Sequence, residues 1–318
     1  MGSSETEAIF QGILQGDRKS IARAISAFEN DAVLAGELLK RMETDHRKIL
    51  SIGVTGAPGC GKSTLIGALA ERMAEEGRKV GIIAVDPSSP ISGGAILGDR
   101  IRMQSASAHD NVYIRSMSSR GMRGGLSRAV EAASSVLSIA GMNVVFIETV
   151  GAGQSDIDVA AVVDVTVIVL APESGDEIQG LKAGQFEIAD LIVINKSDIP
   201  GSERLRASLK STQQRQSLRI LTASAREGSG LDEVVGELNR LSSLVGTRSW
   251  TDEKRVKIRA VLLSMVAQSL SSYVMQELRE SGLAETVVED IANGRVSLQQ
   301  ASDQIATLFL NRLNRGKQ

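Results

Sequence analysis

Cysteine and histidine are nearly absent from this chain of 318 residues, which holds one of the first and two of the second. A single cysteine excludes an intrachain disulfide, and two histidines exclude a histidine-rich metal store; both point to a reducing, cytoplasmic location. An excess of either charge is also missing. Lys and Arg number 36 against 38 Asp and Glu, which leaves no electrostatic case for nucleic acid or an anionic membrane as a partner. Long apolar runs are lacking too: those around Val144 to Ile147 and Val165 to Ala171 fall far short of the ~20 residues of a membrane span. The stretch Met1 to Glu7 is polar and acidic, without the basic-then-apolar pattern of a signal peptide. What is present is the composition of a globular protein, 42% hydrophobic and 23% charged, with enough apolar material to bury a core.

Against that background one stretch stands out. Gly56-Ala57-Pro58-Gly59-Cys60-Gly61-Lys62-Ser63-Thr64 fits the G-x-x-x-x-G-K-[ST] phosphate loop, follows the apolar run Ile49 to Val54 and opens a helical pattern. The glycines let backbone N–H groups turn toward phosphate oxygens. The helix N-terminus adds partial positive charge, Lys62 is placed for the β- and γ-phosphates, and the Ser63 hydroxyl for Mg²⁺. Cys60 lies within the loop, where a helix N-terminus lowers a thiol pKa, although a neutral loop-filling role suits it as well.

From Lys48 to about Gly246, short β-branched runs alternate with amphipathic helices. This is the signature of an α/β fold with a mostly parallel central sheet and helices on both faces. Strands are expected at 49–55, 79–85, 111–115, 143–148, 165–171, 190–195 and 218–222. Residues 5–44 read as two helices broken at Gly16-Asp17, an N-terminal appendage. Beyond Gly246 no Gly or Pro occurs until Gly282, and Ile258, Leu262, Val266, Leu270 and Val274 recur every four residues, which predicts one long helix. Ser297-Leu298-Gln299-Gln300 resembles a capping box before a last helix. The expected organisation is thus an N-terminal helical extension at 1–46, a nucleotide-binding domain at 47–246 and a C-terminal helical region at 247–318. An apolar stripe longer than one domain can cover makes the last region a homodimerisation arm.

Asn195-Lys196-Ser197-Asp198 follows the run Leu191 to Ile194 and matches N-K-x-D, a guanine reader. A carboxylate at Asp198 accepts from both guanine N1–H and the exocyclic amino group, a donor pair that adenine lacks, so GTP is favoured over ATP. Ser224-Ala225 after the next strand completes that pattern. Glu148-Thr149-Val150-Gly151 ends another strand and looks like a D-x-x-G switch with Glu for Asp. It places Glu148 and Gly151 near the γ-phosphate and Mg²⁺. Asp86, at the end of the strand from Val80 to Val85, and Asp99, in the glycine-rich loop beyond it, are further Mg²⁺ candidates; capping a turn at Pro87 is the alternative for Asp86.

Taken together, Asp86-Pro87-Ser88-Ser89-Pro90, Gly93-Gly94-Ala95-Ile96-Leu97-Gly98-Asp99, Ile114-Arg115-Ser116-Met117 with Arg120-Gly121 and Gly124-Gly125-Leu126, and Glu148-Thr149-Val150-Gly151-Ala152-Gly153-Gln154-Ser155 resemble the MeaB/ArgK/MMAA family of P-loop GTPases. The resemblance implies a GTP-hydrolysing chaperone of an adenosylcobalamin-dependent acyl-CoA mutase, usually methylmalonyl-CoA mutase, that gates cofactor loading and protects the mutase from inactivation. It also implies a third mobile loop, which Gly175 to Lys182 matches. By that resemblance Lys182 is a candidate catalytic cation; without it, Lys182 is a helix-surface lysine. Asp156 stands where the family commonly has Glu. Three other functions compete: nickel delivery, disfavoured by the lack of a His-rich tract or Cys/His pair; a kinase or transport ATPase; and a nucleotide-binding scaffold without turnover.

Overall fold

The computed structural model describes residues 2–42, 49–86, 103–118, 125–149, 160, 162–172, 188–212, 218–281 and 283–315. Seven strands, β1 (Leu50–Thr55), β2 (Val80–Asp86), β3 (Val112–Ser118), β4 (Val144–Glu148), β5 (Val165–Leu170), β6 (Leu191–Ile194) and β7 (Arg219–Thr222), form one sheet. Their spatial order is β3-β2-β4-β1-β5-β6-β7, and every pair is parallel. All seven expected strands are present, with ends that match or shift by up to three residues.

The strands read as unbroken apolar runs because both faces of the sheet are covered. In β4, Val144 and Phe146 join one core cluster while Val145 and Ile147 join another. In β6, Leu191 and Val193 likewise face the first cluster, and Ile192 and Ile194 a third. The first cluster packs under α4 (Lys62–Glu75) and, later in the chain, α8 (Leu231–Leu244). In α4, Leu65, Leu69 and Met73 are buried, and the helix ends in a Schellman arrangement where Gly77 N–H donates to Ala74 O and Arg78 N–H to Met73 O. The short α5 (Gln104–Ser107) precedes β3. Helix α7 (Ser202–Thr212) buries Leu205 and Leu209 in the third cluster.

The opposite cluster brings in the N-terminal helices, which number three where the sequence pattern suggests two: α1 (Gly2–Leu14), α2 (Arg18–Asn30) and α3 (Ala32–Met42). The expected break holds, with Asp17 capping α2. The additional one arises at Asp31, whose Oδ1 accepts from Val33 N and Leu34 N, both at 3.1 Å, and so starts a new helix in mid-pattern. These helices pack onto the sheet. Ile9, Ile13, Ile21, Ile25 and Leu38 share a core with α6 (Gly125–Ile139) and with Ile83, Tyr113 and Val145 of the sheet. Arg18 donates to Val112 O at 2.9 Å, and Arg115 of β3 pairs with Glu29 at 2.7 Å.

The chain groups into two compact units, 1–261 and 262–318. Helix α9 (Arg248–Glu280) is the long helix predicted from the glycine-free stretch, 33 residues. A shorter one, α10 (Leu283–Ala292), was not legible in the pattern, and α11 (Leu298–Arg315) closes the chain. The capping box before α11 is reciprocal: Gln300 N–H donates to Ser297 Oγ at 3.2 Å and Ser297 N–H to Gln300 Oε1 at 3.0 Å. Within the first unit the root of α9 is fixed under the sheet. Trp250 is buried in the first core cluster, and Lys254 reaches Asp164 Oδ1 at 3.3 Å. Asp164 Oδ2 in turn accepts from Ser51 N (3.1 Å) and Oγ (2.8 Å) at the start of β1. Trp250→Ala is accordingly expected to lower the unfolding free energy by about 3–5 kcal/mol, read as an earlier midpoint in urea. No described helix is long and apolar enough to cross a membrane.

Candidate functional site

In a sheet of this topology ligands bind outside the carboxyl ends of the strands, where strand order reverses. Here that point lies at β1, whose neighbours β4 and β5 lead off in opposite directions. The loop from Gly56 to Gly61 emerges there and is wedged in tightly. A Cβ on Gly56, at φ +149°, would lie 2.1 Å from the carbonyl oxygen of Val169 in β5, and one on Gly61, at φ +88°, 2.5 Å from Asn195 Nδ2. Neither position tolerates a side chain, so both glycines are required by close approach as well as by backbone conformation. Cys60 is buried, and desolvation pushes its thiol pKa up against the weaker opposing pull of Lys62. The neutral loop-filling reading of Cys60 therefore holds, since burial outweighs the helix end.

Lys62 and Ser63 open α4 and are both buried. The Lys62 ammonium donates to Gly56 O at 2.8 Å and Ala57 O at 3.1 Å, which holds the charge over the loop. The Ser63 hydroxyl donates to Glu148 Oε1 at 2.6 Å. Glu148 is delivered by register, since it sits beside Val54 of β1 and Ala84 of β2. The next residue, Thr149, ties back through its N–H to Val54 O at 3.2 Å. A point charge, a hydroxyl and a carboxylate thus meet at one strand end, a set suited to phosphate and a hard cation.

A second cluster stands at the ends of β6 and β7. Asn195 is buried and joins it to the phosphate loop. Its Nδ2 donates to Cys60 O (3.0 Å) and Gly61 O (3.3 Å), while its Oδ1 accepts from Ala225 N–H (3.1 Å). Lys196 holds the left-handed region at φ +56°, uncommon for a residue with a side chain, and Ser197 N–H donates to Ala223 O at 3.1 Å. The fully buried Ser224 donates its hydroxyl to Asp198 Oδ1 at 2.5 Å. That bond is the main reason the Asp198 carboxyl titrates below its ordinary value; Arg226 and Lys196 add smaller Coulombic contributions in the same direction.

Of the residues singled out from sequence, Gly56, Ala57, Pro58, Gly59, Cys60, Gly61, Lys62, Ser63, Thr64 and Glu148 come together in the first cluster. Asn195, Lys196, Asp198, Ser224 and Ala225 come together in the second. Strand β2 ends at Asp86, two positions past the register partner of Glu148, but the side chain of Asp86 lies outside the described residues. So do Asp99, Gly151 and Lys182.

The family described as methylmalonyl-CoA mutase-associated GTPase MeaB matches residues 21–279. The chain belongs to this MeaB family. Among relatives of this MeaB-family chain, GTPase ArgK of Escherichia coli (strain K12) is 38% identical over 236 residues, 69% of this chain and 71% of that one. The methylmalonic aciduria type A homolog, mitochondrial, of Mus musculus is 36% identical over 252 residues, 72% of this chain and 61% of that one. Among solved structures, an LAO/AO transport system kinase is similar with a TM-score of 0.70 at 25% identity, over 98% of this chain and 99% of that one. The P-loop GTPase fold expected from sequence, with a mostly parallel sheet, is thus the fold found, and the sheet proves parallel throughout.

Proposed function

We propose that this protein binds GTP and GDP with Mg²⁺ and hydrolyses GTP to GDP and phosphate. In this reading it signals its nucleotide state to an adenosylcobalamin-dependent acyl-CoA mutase, methylmalonyl-CoA mutase or a close relative. It gates cofactor loading into that mutase and protects it from inactivation. The observation that carries the nucleotide part is Asn195, which hydrogen-bonds the phosphate loop and the Ser224-Ala225 loop at once, so phosphate and base would be held by one connected frame. Membership of a family described by its association with methylmalonyl-CoA mutase supports the partner.

The residues present fit Mg²⁺. Ser63 Oγ and Glu148 Oε1 are hard oxygen donors side by side, and among the described residues no three His, Cys, Asp or Glu side chains gather as a protein cage. That suits an ion shared with phosphate oxygens and water; Asp86 and Asp99 are proposed to assist through their carboxylates. Bound there, the ion would neutralise charge on the transferring phosphoryl group. Lys62 is the fixed cation for the β- and γ-phosphate oxygens, and Gly151 is assigned to the γ-phosphate. Asn195, Lys196, Asp198, Ser224 and Ala225 hold guanine, with Asp198 accepting from its two donors. Lys182 supplies further positive charge when the mutase docks.

The test is purification with tagged protein from the native host and mass spectrometry of what accompanies it, together with GTP and ATP turnover. An acyl-CoA mutase in the complex and turnover of GTP alone are expected. Turnover of ATP alone would transfer the reading to a kinase or transport ATPase.

A homodimer through the C-terminal region 247–318 is proposed on the apolar side chains left exposed along α9: Leu262 at 57%, Leu263 at 60%, Val266 at 47% and Leu270 at 46%. At 1.5 Å per residue this helix extends about 50 Å. The bare stripe from Leu262 to Leu270 covers about 12 Å of it at that rise, and a second copy of the same stripe is the simplest complement. Light scattering on the full chain should give a dimer at micromolar concentration, and a chain ending at Val261 a monomer. Ending earlier, at Gly246, would also remove the buried Trp250 and confuse dissociation with unfolding. A monomeric full chain would contradict the proposal.

A further inference from the structure

The two stretches of chain that carry the phosphate and cation residues meet again at the other end of the sheet. Strand β1, which leads into the phosphate loop, has Ser51 near its start, and the chain that follows Glu148 reaches Asp164 just before β5. These two residues are locked reciprocally. Asp164 N–H donates to Ser51 O at 3.0 Å and to Ser51 Oγ at 2.9 Å, while Asp164 Oδ2 accepts from Ser51 N–H at 3.1 Å and from its hydroxyl at 2.8 Å. On either side of Asp164 the chain is gripped from opposite faces of the sheet: Val163 is buried in the cluster of the N-terminal helices, Val165 in the one under α4 and α8. The other carboxylate oxygen of Asp164, Oδ1, accepts from Lys254 Nζ at 3.3 Å. Lys254 lies four residues after Trp250, the one tryptophan of the chain, which is buried in the same cluster as Val165. Residues at that spacing share a helix face, so the root of α9 rests on this junction through a packed indole and an ion pair. The ion pair is the contact that can yield, because its side chains are 36% and 20% exposed whereas Ser51, Val163, Val165 and Trp250 are buried.

We propose that the Lys254–Asp164 pair is a coupling device that carries the nucleotide state to the root of α9. The proposal rests on the reading of the phosphate loop and Glu148 as a nucleotide and cation site. Its two states are simple: the ammonium either bridges Asp164 or is released to solvent, which its exposure allows at small cost. A γ-phosphate and its cation act on Glu148 and the chain after it, while β1 is held by the occupied phosphate loop. A displacement that reaches residues 163–165 meets close-packed side chains on both faces, which do not deform continuously, and is passed to the bond that yields. Coupling of this kind is reciprocal. A nucleotide that favours one state of the pair is itself bound more tightly when that state is favoured, so removing the pair must change the relative affinities for GTP and GDP.

Trp250 is a built-in probe, since its emission arises from a single residue at this junction. The full chain is titrated with Mg²⁺ and either GDP or a non-hydrolysable GTP analogue, with emission recorded and both affinities measured by isothermal titration. The two loaded states of the unmodified protein should differ in Trp250 emission. Lys254→Met, which keeps the aliphatic stem and loses the charge, should remove that difference and change the ratio of the two affinities by about two- to fivefold, the range of a partly exposed ion pair. Lys254→Arg should restore both. Asp164→Asn, which keeps acceptor and backbone groups for Ser51 but not the ion pair, should behave as Lys254→Met does. Thermal unfolding of the two Lys254 variants should stay close to that of the unmodified protein, because such a pair adds little stability. A Lys254→Met protein that keeps both the emission difference and the affinity ratio would reduce the pair to a structural contact and overturn the proposal. Identical emission of the unmodified protein with bound GDP and bound analogue would overturn it too, and in both cases the measured binding leaves the nucleotide reading standing. If neither nucleotide binds, that reading fails and the proposal falls with it.

Discussion

Replacing Lys182 by alanine is expected to leave GTP affinity and unstimulated turnover essentially unchanged, and to remove most of an acceleration by the cognate mutase on the order of 10³ or more. Lys62→Ala should instead damage binding and turnover with or without the mutase. The difference follows from when each charge is in place. Lys62 is already buried over the phosphate loop, held at 2.8 Å by Gly56 O, so in the proposed reading it would stabilise bound phosphate before any bond changes and contribute to ground and transition states alike. Acceleration of the chemical step needs charge that acts more strongly on the transition state, in a site from which water is excluded. A lysine in a glycine-flanked segment, Gly175 to Gly184, delivered by partner contact, meets that condition in the manner of an arginine finger. Single-turnover hydrolysis of GTP by both variants, with and without mutase, gives four rates that decide the matter. A Lys182→Ala protein that is still fully activated would place the cation elsewhere, at Arg120, Arg123 or on the mutase.

A comparably large effect is expected at the base. The unmodified protein should bind GTP over ATP by a factor on the order of 10⁴, the range reached when a site built to hydrogen-bond a donor meets an analogue that lacks it. Asp198→Asn should collapse most of this factor, because an amide cannot accept from two donors with both of its atoms. The Ser224 hydroxyl occupies Asp198 Oδ1 at 2.5 Å and holds the carboxyl ionised below its ordinary pKa of 3.8. A lowered carboxylate pKa means the acceptor is present above the ordinary value and is lost only as pH falls through a still lower one. Guanine preference should therefore stay constant from about pH 8 to about pH 5. Titrations of both nucleotides across that range check it, and a preference that halves near neutrality would mean that another group reads the base.

Much of this was legible in the chain because its signals are local. The phosphate loop declares itself through the spacing of Gly56, Gly61, Lys62 and Ser63, and the strands through apolar runs that need cover on both faces. The long helix shows itself by the lack of glycine from Thr247 to Ser281. Other features were hidden for equally physical reasons. Asp31 splits the N-terminal helices by accepting two backbone N–H bonds, a competition between side chain and helix that periodicity does not register. The embedding of those helices in the core depends on contacts with residues far along the chain, such as Glu29 with Arg115 of β3, 86 positions away.

The sequence by itself therefore determined the class of fold, the phosphate loop and the types of residue available for base and cation, since each depends on spacing within one element and the turn that follows it. Only the tertiary structure decided how they combine. Sheet order and register place Glu148 against Ser63, 85 positions away. The packing of β6 beside β5 lets Asn195 tie two loops into one frame, and the pairing of β6 with β7 brings the Ser224 hydroxyl to Asp198, 26 positions away. These are long-range pairings, fixed by which strands become neighbours when both faces of the sheet are buried together. No stretch of the chain carries that information alone.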